Sequence, residues 1–170
     1  MDWLILVYRL GARRSTQRVH LWRRIKRIGA VYLQDGVCLL PLNERTREQL
    51  QWLAAEVSEL GGVSYLAEAG FLAGAQQARA VGLFRRQSRE TYAKVRERLD
   101  RACAALAPGE FSPGELLREA WRLYAAARQT EFFPVEESPQ IHRELVALTE
   151  RMHRLSREED GPCAGQLGSA

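Results

Sequence analysis

Asp35-Gly36 stands between two short β-prone runs, Ala30–Gln34 and Val37–Leu40, and no other feature constrains the fold so tightly. An Asp-Gly pair suits a two-residue hairpin turn, because both turn positions need positive φ. Pro41 ends the second arm. Ahead of the hairpin, Trp3–Arg9 (WLILVYR) is apolar and predicts a buried strand, and Gly11 breaks it. Ser15 is a suitable N-cap for a helix that ends at Gly29. Behind the hairpin, Asn43 caps a second helix in which Leu50, Leu53, Val57 and Leu60 recur at helical spacing, and Gly61-Gly62 terminates it. Val63–Ala67 is then a fourth short strand.

This order, β-α-β-β-α-β, predicts an α+β chain with the ferredoxin-like split arrangement. Four antiparallel strands over residues 3–67 are expected to carry two helices on one face. Cys38 lies in the hairpin and is expected to pack as a small hydrophobe, without a catalytic role.

From about Ala75 onward the pattern is helical. Tyr92, Val95, Leu99, Ala102 and Leu106 form one apolar stripe, with Cys103 beside it. Ser112-Pro113-Gly114-Glu115 has capping-box spacing with Pro at the first helical position, and opens a helix bearing Leu117, Trp121 and Tyr124. Ser138-Pro139 opens another, with Ile141, Leu145, Leu148, Met152 and Leu155. The expected organisation is a ferredoxin-like domain over 1–70, a helical region of about three helices over 71–160, and a disordered tail over 161–170. Trp3, Trp22, Trp52 and Trp121 lie on or beside apolar stripes and are expected in the core. Three apolar helical stripes beside so small a sheet predict a homodimer.

The charge is distributed unevenly. Between Trp3 and Gln34 there are eight basic residues and no acidic one, within a chain of net charge +4. At ~100° per residue, Leu21, Trp22, Ile25 and Ile28 are expected to face the sheet. Arg23, Arg24, Lys26 and Arg27 fall on the other side with His20, and Arg13, Arg14 and Arg18 stand at the start of the helix. Solvated helix faces usually mix signs. This one does not, which predicts a surface for DNA or another polyanion. A second basic stretch from Arg79 to Arg101, with Arg85, Arg86 and Arg89 close together, is a candidate extension of that surface. There the interleaved Glu90, Glu97 and Asp100 account for much of the charge by (i, i+4) pairing.

Other chemistries find little support. Three cysteines and three histidines have no metal-ligand spacing, so no metal or cofactor is expected. Glu136-Glu137 and Glu158-Glu159-Asp160 flank helices, where capping and solvation explain them. No dinucleotide fingerprint, P-loop or nucleophile elbow is present, so no catalytic residue is named and the chain is not expected to be an enzyme. No apolar run approaches a membrane span, and the opening residues lack the basic region of a signal peptide. A cytoplasmic protein is expected.

The run WLILVYRL followed by R-x-x-x-WRR-x-KR-x-GA-x-YLQDGVCLLP resembles the N-terminal domain of ChrB, the chromate-responsive regulator of chromate-resistance operons. ARQTEFF (Ala127–Phe133) is similar to that family's Arg-x-x-x-Phe-Phe segment. The resemblance implies a DNA-associated regulator, and kinship with the ferredoxin-like domain of phenylacetate-catabolism repressors and with spacer-acquisition nucleases. ChrB proteins continue into a C-terminal domain that is not expected here. The nuclease relatives carry a metal-binding aspartate near the end of the first strand. Here that place reads Tyr8-Arg9-Leu10, and a cation would repel Mg²⁺. The expected function is therefore DNA-binding transcriptional regulation of chromate-resistance genes. The alternatives are an oxyanion sensor, with chromate or a similar dianion held at Arg13 and Arg14, and a helical protein-interaction module.

Overall fold

In the computed structural model residues 1–11, 15–105 and 113–159 are described. The β-prone opening run forms β1 (Trp3–Arg9), and α1 (Ser15–Arg27) follows. The hairpin is β2 (Val31–Gln34) with β3 (Val37–Pro41). After it come α2 (Glu44–Glu59) and β4 (Val63–Ala69), the latter running two residues beyond the expected Ala67. Three helices then follow, α3 (Gly74–Ala104), α4 (Pro113–Thr130) and α5 (Glu137–Glu159), so the described residues hold five in all. The N-cap expected at Ser15 is not placed, because Ser15 is itself the first residue of α1. Leu106, the start of the Ser112 capping box, and the 161–170 tail with Cys163 lie outside the described residues.

The sheet is antiparallel throughout, in the order β2-β3-β1-β4. Leu6 lies opposite Cys38 on one side and Leu66 on the other. A bulge between Tyr32 and Gln34 interrupts the hairpin ladder. Gly36 has φ +73°, and a Cβ there would lie 2.5 Å from the Tyr8 carbonyl oxygen. The close approach is used: the Tyr8 N–H donates to the Gly36 carbonyl at 2.7 Å, so the turn docks onto the end of β1.

Chain alternation in β1 divides the core in two. Leu4, Leu6 and Tyr8 share a face with Ser64 and Glu68 of β4. α2 lies on this face, since the Ser64 hydroxyl donates to the Ala54 carbonyl and Arg47 pairs with Glu68. α1 lies there too, with Leu21 and Ile25 fully buried. Trp3 points the other way, into an aromatic group with Phe71, Phe84 and Phe133 at centroid distances of 5.7–5.9 Å. Toward the opposite end of that face, Val7, Val63 and Tyr65 are exposed.

The helix ends follow local rules. The Asn43 side chain accepts from the Thr46 N–H, and the Thr46 hydroxyl accepts from the Asn43 N–H in return. At the end of α1 the Gly29 N–H donates to Lys26 O and the Ala30 N–H to Ile25 O, the paired bonds of a Schellman motif. Gly29 has φ +82°, and a Cβ on it would meet Thr130 Cβ at 2.8 Å.

The residues divide into two compact units. The first takes in Met1–Glu90 and Ala127–Val135, and so reaches beyond residue 70. Ala80 and Phe84 of α3 belong to its core, and Phe132 and Phe133 pack against it. The second takes in Thr91–Ala126 and Glu136–Ala170. In it the expected stripe of Tyr92, Val95, Leu99 and Ala102 is buried, as are Leu117, Ile141, Leu145 and Leu148, whereas Leu155 near the end of α5 is exposed. His142 lies edge-on to Trp121 and tilted against Tyr124, and the Ser138 hydroxyl donates to the Tyr92 oxygen at 3.0 Å.

Candidate nucleic-acid interface

Leu21 and Ile25 anchor α1 to the sheet, and this decides where every other side chain of the helix points. Arg18, Arg23 and Arg27 are exposed, and none has a carboxylate partner among the described residues. Arg24 is different. Its guanidinium pairs with Glu56 of α2 at 2.5 Å, and His20 approaches the same carboxylate at 3.4 Å. The expectation of an unmixed positive face therefore needs correction on one flank. An acid 32 residues downstream is folded against it. Arg13 and Arg14 lie outside the described residues.

Lys26 leaves the helix on the opposite flank. Its ammonium donates to Gln87 Oε1 at 2.9 Å and sits 5.9 Å from the centre of the Tyr32 ring. Gln87 in turn donates from Nε2 to the Gly29 carbonyl at 2.9 Å. This residue ties the first part of α3 to the end of α1 and brings the second basic stretch alongside. Arg85, Arg86 and Arg89 are all exposed. At ~100° per residue, Arg85 and Arg89 leave α3 on the flank turned away from Gln87, so Arg86 is the nearest to α1. Arg86 has Glu90 4.0 Å away in a largely exposed pair, a contact worth little.

Trp22 corrects the sequence expectation. The helical period puts it with Leu21 on the sheet side, but it is 49% exposed, because it lies on the edge of the apolar arc rather than at its centre. Trp52 is likewise exposed, on the outer side of α2. Trp22, Val19, Arg18 and Lys26 form one wall of an open cleft of about 690 Å³, whose other wall is the Tyr8, Tyr32 and Asp35 end of the sheet. The Tyr8 and Tyr32 hydroxyls are 2.8 Å apart. Burial pushes both phenol pKa values up, and in Tyr32 the bond to Tyr8 adds to this. Both rings therefore stay neutral at physiological pH. The tyrosine pair had no signal in the sequence, because it depends on the pairing of β1 with β3.

Cys38 is fully buried, and burial pushes its thiol up to about 12. It packs as a small hydrophobe, as expected.

The chain matches the family described as Protein ChrB, N-terminal, over residues 18–107. It belongs to the ChrB N-terminal family. The match includes all but the first three residues of α1, the hairpin, α2, β4 and the whole of α3. Protein ChrB of Cupriavidus metallidurans (strain CH34) is 35% identical over 139 residues, which cover 80% of this chain and 42% of that protein. The chain thus spans less than half the length of this ChrB relative. No solved structure matches. The matched region 18–107 contains Lys26, Gly29 and Gln87, whose hydrogen bonds tie the end of α1 to α3.

Proposed function

We propose that this ChrB-family chain is a DNA-binding regulator of chromate-resistance genes and that the outer face of α1 contacts the DNA backbone. The observation that carries this is the set of guanidinium groups on Arg18, Arg23 and Arg27, exposed and without carboxylate partners among the described residues. They stand on a helix whose opposite side is locked into the core by Leu21 and Ile25. Guanidinium groups held in this way can neutralise and grip phosphates without first breaking an internal ion pair. We read the strand order β2-β3-β1-β4, with α1 and α2 on one face, as the ferredoxin-like arrangement, a scaffold that presents α1 at the surface.

The test is replacement of Arg18, Arg23 and Arg27 together by Ala, followed by titration on the upstream DNA at several salt concentrations. Affinity is expected to fall for specific and non-specific duplex alike. The slope of log K against log salt should become shallower by roughly 0.9 per lost phosphate contact. A folded triple variant with unaltered affinity and slope overturns this function. Loss of only the chromate response, with DNA affinity unchanged, assigns these residues to oxyanion sensing instead.

A further inference from the structure

We propose that the cleft beside α1 binds a nucleotide unit, a single base with its phosphate, presented either free or within single-stranded DNA. Its walls supply the three kinds of contact that such a unit needs. The first is a stacking surface: Trp22 shows half its area to solvent on the cleft wall, and base–aromatic stacking accepts any base because every base has a π-face. The second is positive charge for the phosphate. Arg9, Arg18 and Lys26 line the cleft against a single carboxylate, Asp35, and Lys26 commits one of its three protons to Gln87. The third is neutral hydrogen-bonding capacity. Of the two hydroxyl protons on Tyr8 and Tyr32, one lies between the oxygens, so the other is free to donate outward. Asp35 complements this as an acceptor for an exocyclic amino or a ribose hydroxyl group.

The cleft volume of about 690 Å³ falls within the ~300–1,000 Å³ of small-ligand sites. It shares Arg18 with the surface proposed for duplex DNA and is otherwise separate from it. Arg23 and Arg27 do not line it, and a duplex keeps its bases stacked and out of reach of Trp22. The inference therefore stands whether or not the α1 outer face binds duplex.

The experiment titrates the full chain with a labelled ten-residue oligothymidylate and, separately, with a free thymidine monophosphate, reading anisotropy and tryptophan fluorescence. The wild-type chain is expected to bind at least one of the two with quenching. Trp22→Ala should weaken that binding roughly tenfold or more, the order expected for loss of one base stack. Trp22→Phe should retain most of the affinity while losing most of the quenching. Tyr32→Phe should weaken binding by about two- to tenfold, the range for one hydrogen bond. The double variant Arg23→Ala/Arg27→Ala should keep the quenching amplitude. Binding of the free nucleotide identifies a small-molecule site, and binding of the oligonucleotide alone identifies a single-strand site. Absence of binding by wild type to either probe at millimolar concentration overturns the proposal. So does equal affinity of wild type and a Trp22→Ala variant whose circular dichroism and melting temperature are unchanged.

Discussion

Arg24 of α1 and Glu56 of α2 meet at 2.5 Å, and His20 lies 3.4 Å from the second oxygen of the same carboxylate. One acid thus restrains two members of the basic helix and lowers the positive charge on one flank of it. Glu56→Gln should tighten binding to duplex DNA. If the released Arg24 reaches one further phosphate, the salt slope should steepen by about 0.9. The cost in stability should stay below about 1 kcal/mol, because Arg24 is partly solvated. Titration at two salt concentrations, with a urea melt alongside, checks both halves.

Gly29 and Gly82 should respond to alanine in opposite directions. Gly29 is left-handed, and its new Cβ would meet Thr130 Cβ at 2.8 Å. Gly29→Ala should cost at least ~1–2 kcal/mol from backbone conformation alone. Gly82 lies inside α3 with nothing within 4 Å of an added Cβ. Gly82→Ala should stabilise by about 0.5–1 kcal/mol. Paired denaturant melts decide the signs.

Trp3 is almost wholly buried, yet its indole N–H has no hydrogen-bond partner among the described residues. Trp3→Phe removes that unsatisfied donor and keeps an aromatic ring beside Phe84, so its cost should remain below about 1.5 kcal/mol. Trp3→Ala opens a cavity among Phe71, Phe84 and Phe133 and should cost ~3–5 kcal/mol. Similar losses for the two variants would show that the indole itself matters.

Cys38 and Cys103 should differ in alkylation. The buried Cys38 thiol is pushed up to about 12, so its thiolate remains scarce from pH 7 to 10 and its native-state alkylation should stay negligible. Cys103 is exposed, though its thiol is also raised, first by burial and then by Asp100, and it should react faster as pH rises. Peptide mass spectrometry after brief iodoacetamide treatment separates the two. The raised Cys38 value also has a consequence for stability. The folded state holds the proton more tightly than the unfolded one. The contribution is therefore complete below the ordinary thiol range near pH 9 and is lost as pH climbs toward 12.

The turn, the α2 cap and the end of α1 agree between sequence and structure, because the forces that decide them are local. The Asp35-Gly36 turn, the Asn43 cap and the stop at Gly29 depend on residues within a few positions of each other. The burial of Leu21, Ile25, Leu50, Leu53 and Val57 follows from helical period alone. Trp22 marks where period stops being informative. It lies on the rim of the apolar arc, where burial depends on whether another element covers that rim, and here the cleft leaves it open.

The sequence by itself determined the order of strands and helices, the hairpin, and a helix with cations on one side and aliphatic anchors on the other. Tertiary structure decided which of those cations remain unpaired. Arg24 is held by a residue 32 positions away and Lys26 by one 61 positions away, and the aromatic group around Trp3 is completed by Phe133 from the far side of α4. Such pairings carry no periodic signal. Propensity and amphipathic pattern act over one or two turns, whereas the partner of a surface charge is set by which element the burial of apolar area brings alongside it.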